Sequence, residues 1–186
     1  MEKALRDLLD MLEGERSFVE TEADLQIGLL FELSTGPVDT SIDEDGLNIY
    51  QRLLPPELMS IRLDEDALEE IVQRIVNLFE KVSNAKRRSL FWAMSKVNRP
   101  ILTIKSILFA LRRYGTSFDD EASVQALFAL LTYLPLSRVG MPRIMMQIIH
   151  KYDPSRFLMG HRGSSNNQLA ELARNALDKL TALAKQ

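Results

Sequence analysis

Arg88, Trp92, Lys96 and Arg99 fall at helical spacing, so a helix through them would carry three cations and the chain's one tryptophan on a single stripe. Basic groups hold phosphates and an interleaved aromatic can stack on a base, which is the chemistry of a nucleic-acid groove. The competing reading is an amphipathic tryptophan packed on a neighbouring helix, with the basic stems lying over it. A second candidate is Gly160-His161-Arg162-Gly163-Ser164-Ser165, directly ahead of the last predicted helix. Free backbone N–H groups there, together with His161, Arg162 and Ser164, would hold a phosphate or carboxylate. Without an anion, the same residues form a flexible loop ending in a Ser or Asn cap.

Metal and catalytic chemistry find less support. Asp43, Asp45 and Gly46 match the third, fifth and sixth positions of an EF-hand loop. Ser41 would then be the first ligand, and Arg52 stands at the twelfth position, where calcium needs a bidentate Glu. A solvated acidic loop is expected instead. His150 and His161 are the only histidines, and neither lies in a metal-binding spacing. His150 precedes Lys151 at a predicted helix end, where cations meet the dipole favourably. The chain has no GxSxG elbow, Walker loop or GxGxxG. The absence of cysteine excludes thiol catalysis, iron–sulfur clusters and cysteine-based zinc sites. No catalytic residues, metal or cofactor are therefore expected. Met141, Met145, Met146 and Met159 suit an adaptable groove, but Ile144, Ile148 and Ile149 around the middle pair favour core filling.

Charge divides sharply along the chain. Residues 1–85 hold 20 acidic and 7 basic side chains, whereas residues 86–162 hold 4 acidic and 13 basic. Such asymmetry suits either an anionic partner or a fold in which one half neutralises the other. The 186 residues are enough for one helical domain with its own core. The N-terminal residues lack a signal peptide's apolar run, and a reducing cytoplasm fits a chain without cysteine. The most apolar stretch, 124–136, carries Gln125 and Thr132 and is broken by Pro135, too short for a membrane span.

Leu5, Leu8, Leu9 and Leu12 give the i, i+3, i+4, i+7 pattern of a helix over 2–13, and a second is predicted over 22–33 despite Gly28. Residues 36–63 form an irregular acidic and Pro-containing insertion, in which Leu47–Leu54 and Leu58–Leu63 could pair as a hairpin. From 64 to 186 helices follow closely. They are predicted over 66–82, 85–97, 100–113, 120–134, 142–151 and 166–184, with Asp66 and Glu69 at capping-box spacing. Ile101, Ile104, Leu108 and Leu111 are expected to face the core. Leu127, Phe128, Leu130 and Leu131 spread around their helix and call for apolar neighbours on several sides.

Two stretches repeat at a spacing of 47: Phe118-Asp119-Asp120-Glu121 ahead of Ala126, Ala129 and Leu130, and Ser165-Asn166-Asn167-Gln168 ahead of Ala173, Ala176 and Leu177. Acid replaces amide, and small residues permit close helix approach. The tail NNQLAELARNALDKL resembles the second helix of a HEAT repeat, whose length of about 40–47 residues brackets the spacing. The resemblance covers residues 64–186 and implies an all-α fold of stacked antiparallel helix pairs, α-solenoid-like; an irregular bundle is the alternative. It also implies a noncatalytic module that presents a groove to a protein partner. The alternative is nucleic-acid binding by residues 86–162, in the manner of HEAT-like DNA glycosylases. An enzyme acting on a small anion at the His161-Arg162 loop ranks third. Self-association is left open.

Overall fold

The first N–H groups of a helix have no carbonyl to bond, so helices start where a short polar side chain accepts from them. Asp64 accepts from the N–H of Ala67, Ser83 from Lys86, Asp119 from Ala122 and Asn166 from Leu169. Asp119 and Asn166 are the paired positions of the 47-residue spacing, and acid and amide cap alike. Asp64, not Asp66, caps its helix; Asp66 sits in the first turn, where its charge meets the dipole.

The computed structural model describes residues 3–14, 19–135 and 141–185. Among these the chain is all-α, with no strand: α1 (Lys3–Glu13), α2 (Val19–Thr35), α3 (Ile49–Leu53), α4 (Pro56–Met59), α5 (Glu65–Leu78), α6 (Asn84–Ser95), α7 (Pro100–Tyr114), α8 (Asp120–Tyr133), α9 (Arg143–Tyr152), α10 (Ser155–His161) and α11 (Asn167–Lys185). Leu136, the last residue of the apolar stretch, lies outside the described residues. The hairpin expected within 47–63 is replaced by α3 and α4. Asn48 and Gln51 form a reciprocal capping box that opens α3, and Pro56 at the first helical position opens α4. This segment also supplies the core with Tyr50, Leu54, Leu58 and Ile61.

Side-chain contacts fix the helix directions. Asp24 meets Lys86, Glu32 meets Lys96, and the Thr35 hydroxyl accepts from the N–H of Asn98, so α2 and α6 run the same way. Arg88 meets Glu121 near one end and the Tyr133 hydroxyl donates to the Ser95 carbonyl near the other, so α8 runs with α6. Lys179 of α11 reaches the Leu131 carbonyl, which lies as far along α8 as Lys179 does along α11. These four helices make one layer. Glu65 with Arg99 and Glu69 with Lys105 set α5 and α7 parallel in a second layer, and Arg112 donates to the Lys151 carbonyl where α7 and α9 finish together. Glu13 of α1 joins this layer through Arg74 of α5. Consecutive long helices therefore alternate between layers and reverse direction, giving stacked antiparallel pairs.

One hydrophobic core runs from Leu5 to Leu183. Near its middle Phe79 stacks on Phe91 at 4.5 Å, and Phe118 meets the Phe91 ring edge-on at 5.4 Å. Buried Arg87 closes this cluster by donating to the carbonyls of Phe79 and Ser117, each at 2.9 Å. As its pattern required, α8 is packed on several sides, by α6, α7 and α11, and its Ala126 and Ala129 are fully buried. Phe128 departs from that expectation and is 43% exposed, because it points away from all three neighbours.

At Gly28 the Trp92 ring of α6 presses against the α2 backbone. A Cβ there would lie 2.4 Å from Cζ3 of Trp92, inside any allowed contact. Gly28→Ala is therefore expected to lower stability by about 1–3 kcal/mol in chemical denaturation, the cost of overpacking. In a Trp92→Leu background the same change should become neutral or stabilising, by up to about 1 kcal/mol, since Ala is the better helix former. Equal losses in both backgrounds would mean that Gly28 does not accommodate Trp92.

Candidate functional site

The basic and aromatic stripe is divided by the turn that ends α6. Arg88 and Trp92 lie on α6 and Lys96 is its C-cap, whereas Arg99 has passed around the turn to the N-cap of α7. Each cation faces a carboxylate: Arg88 pairs with Glu121, Lys96 with Glu32 at 3.6 Å and Arg99 with Glu65 at 2.6 Å. Two of those carboxylates come from the acidic first half of the chain. Trp92 lies against Gly28 with the Lys96 ammonium 5.3 Å from its ring centroid, an arrangement of packing and cation–π contact. The stripe is thus an intramolecular seam between oppositely charged halves.

At the second candidate, three of the backbone donors expected to meet an anion bond the chain itself. His161 ends α10 and Arg162 is its C-cap, so the Arg162 N–H bonds the Leu158 carbonyl and the Ser164 N–H bonds that of His161. The Ser164 hydroxyl accepts from the N–H of Asn166, which in turn caps α11. The loop is therefore a helix end joined to a cap, in which the N–H groups of Arg162, Ser164 and Asn166 are bonded within the chain. Arg162 itself is exposed, and among the described residues its side chain donates to the Met159 sulfur. His161 turns inward instead, its ring 4.5 Å from that of Phe157, and burial pushes its pKa below the ordinary imidazole value.

In the acidic loop the EF-hand resemblance ends in a salt bridge. Arg52, at the twelfth position, donates to the carboxylates of both Asp43 and Asp45, supplying from within the chain the cation that calcium would have been. Asp43 also accepts from the N–H groups of Asp45 and Leu47. The Arg52 bond, followed by these backbone bonds, holds the Asp43 pKa below the usual carboxylate range. Among the described residues no group of metal-ligating side chains is assembled, and no helix is long and apolar enough to cross a membrane. His150 stands in the last turn of α9, as its spacing predicted. Met145 is buried and Met159 is 52% exposed, so the methionines do not line one common groove.

One concavity was not foreseen. A cleft of about 720 Å³ opens where the second layer shows its surface, between the first turns of α5 and α7 and the length of α9. Its floor is Ile101, Leu102, Ile144, Ile148 and Tyr152, and its rim carries Glu65, Asp66, Glu69, Lys105 and Lys151. Ile101 was expected in the core but is 38% exposed here, and Ile144 is 48% exposed. Ile101 comes at the first turn of α7, beyond the reach of the adjoining layer, and only the parallel register of α7 and α9 brings it beside Ile144.

If the stripe is a seam, reversing its charges should hurt in proportion to burial. The Lys96 and Glu32 side chains are 31% and 22% exposed, against 52% and 71% for Arg88 and Glu121. Lys96→Glu is expected to cost about 1 kcal/mol in denaturation at low ionic strength and Arg88→Glu less than about 0.5, with both losses shrinking as salt is added. Equal stability of the wild type and Lys96→Glu at low salt would contradict the seam.

Comparison with protein-family models, curated proteins and solved structures finds no match to this chain.

Proposed function

We propose that the chain is a noncatalytic interaction module whose cleft between α5, α7 and α9 receives an amphipathic helix of a partner protein. The observation that carries this reading is the pair of exposed isoleucines, Ile101 and Ile144, set over Ile148 and Tyr152 in a cleft of about 720 Å³. Helix-in-groove recognition uses a few apolar anchors at i, i+3, i+4 and i+7 laid into such a floor. On the rim Glu65 and Glu69 of α5 pair with Arg99 and Lys105 of α7, and Asp66 on α5 and Lys151 on α9 also line it. A matching helix would set a cation near Asp66 and a carboxylate near Lys151. The HEAT-like pattern of the sequence agrees with this use, since stacked helix layers present extended faces to partners. A cytoplasmic setting suits a chain without cysteine.

Nucleic-acid binding by the basic segment is the second reading, and the pairing of Arg88, Lys96 and Arg99 with carboxylates weakens it. A displayed library of random peptides selected against the wild type separates the two. Enriched peptides should carry the i, i+3 or i+4, i+7 apolar pattern. They should bind Ile101→Asp and Ile144→Asp roughly thirtyfold more weakly, about 2 kcal/mol, while both variants unfold as the wild type does. Peptides indifferent to both substitutions would overturn the cleft. A submicromolar, salt-sensitive complex with nucleic acid, weakened by Arg88→Ala or Lys96→Ala, would establish the second reading in its place.

A further inference from the structure

His161 and Phe157 form one wall of a separate pocket, about 650 Å³ in volume, between the end of α7 and α10. The wall is fixed by a close approach: a Cβ on Gly115, after the last residue of α7, would come within 2.8 Å of the Phe157 ring. Only a glycine lets that ring settle, and the ring in turn holds the imidazole 4.5 Å from its own centre. Arg112 and Arg156 also line the pocket. Arg112 uses one nitrogen on the Lys151 carbonyl and has further donors to spare. Arg156 makes no hydrogen bond or ion pair among the described residues.

The carboxylate in this pocket is Asp153, whose oxygen is engaged by the N–H and hydroxyl of Ser155. It balances one guanidinium and leaves the other uncompensated. Two arginines with an adjoining flat wall match an oxyanion carried on a planar body, because guanidinium groups grip carboxylate or phosphate oxygens in pairs. The volume is that of a small-molecule site and far exceeds a bare inorganic ion. We infer that this pocket binds a small organic anion with a planar body, its carboxylate or phosphate held by Arg112 and Arg156 and its ring lying against Phe157 and His161. The inference is independent of the cleft between α5, α7 and α9.

Binding an anion beside His161 would favour its protonated form. Asp120 acts on that imidazole, and Asp153, Arg112 and Arg156 line the same pocket. Burial already depresses its pKa, so the free protein holds it neutral near pH 7, and an added anion should raise its midpoint. Phenyl phosphate, benzoate, inorganic phosphate and phenol, each titrated while the His161 ring proton is followed by NMR, test the assignment. At least one of the two aromatic anions should saturate and raise the His161 midpoint by about 0.5 pH unit or more. Comparing phenyl phosphate with benzoate identifies the preferred oxyanion. Phenol, lacking the charge, and inorganic phosphate, lacking the ring, should bind at least roughly tenfold more weakly. Arg156→Gln should weaken the better anion roughly tenfold, and Arg162→Gln, outside the pocket, should leave it unchanged. No saturation by either aromatic anion up to about 10 mM, or equal affinity in Arg156→Gln and wild type, would overturn the site.

Discussion

The Lys86 ammonium lies 2.6 Å from the Asp24 carboxylate, and their side chains are only 6% and 4% exposed. An ammonium held this far from water without a counter-charge costs several kcal/mol, so α2 cannot slide along α6 without separating charges that have no solvent to turn to. The pair therefore sets a register, and the rest of the seam follows from it. One helical turn beyond Asp24, Gly28 receives the ring of Trp92; one turn further, Glu32 reaches Lys96; at the end of α2 the Thr35 hydroxyl takes the N–H of Asn98. The acidic half of the chain meets the basic half through Asp24–Lys86, Glu32–Lys96, Glu65–Arg99 and Glu69–Lys105.

Once α6 is placed, the remaining layers have little freedom. The aromatic cluster of Phe79, Phe91 and Phe118, closed by Arg87, ties the end of α5 and the start of α8 to α6. Parallel stacking of α5, α7 and α9 then exposes their starting turns on one side, where Ile101 and Ile144 meet, and their ends on another, where Arg112 meets Lys151. The cleft runs along α9 as far as Tyr152, and the small pocket takes up the chain at Asp153, just past its end. Both are consequences of the same layer, and neither draws on the α2–α6 seam for its lining.

Much of the helical frame was legible in the sequence because it rests on local signals. Leu5, Leu8, Leu9 and Leu12 are all buried, Pro100 opens α7 as its position suggested, and the Asp119 and Asn166 caps match. Gly28, which looked like a flaw in a helix, is explained only by Trp92, a residue distant in sequence. The sites were less legible for the same reason. A stripe drawn through Arg88, Trp92, Lys96 and Arg99 assumes a helix that continues past Lys96, but the chain turns there. It also says nothing of Glu32, Glu65 and Glu121, which arrive from other helices. The sequence sets His161 beside Arg162, whereas in the fold it is Arg156 and Arg112 that share its pocket. The extra helical turns of α10 cause that exchange, and no strong apolar period in its seven residues announces them.

The dependence of the seam on its buried pair is tested most directly by a double-mutant cycle at Asp24 and Lys86. Asp24→Leu and Lys86→Met each deprive a buried charge of its opposite charge, and each alone should lower unfolding free energy by about 3–5 kcal/mol. The double substitution removes both charges together and should recover most of that loss, giving a coupling of more than about 2 kcal/mol. Single losses below about 1 kcal/mol that simply add in the double variant would show that the two side chains do not depend on each other, and that the register of α2 on α6 is set elsewhere.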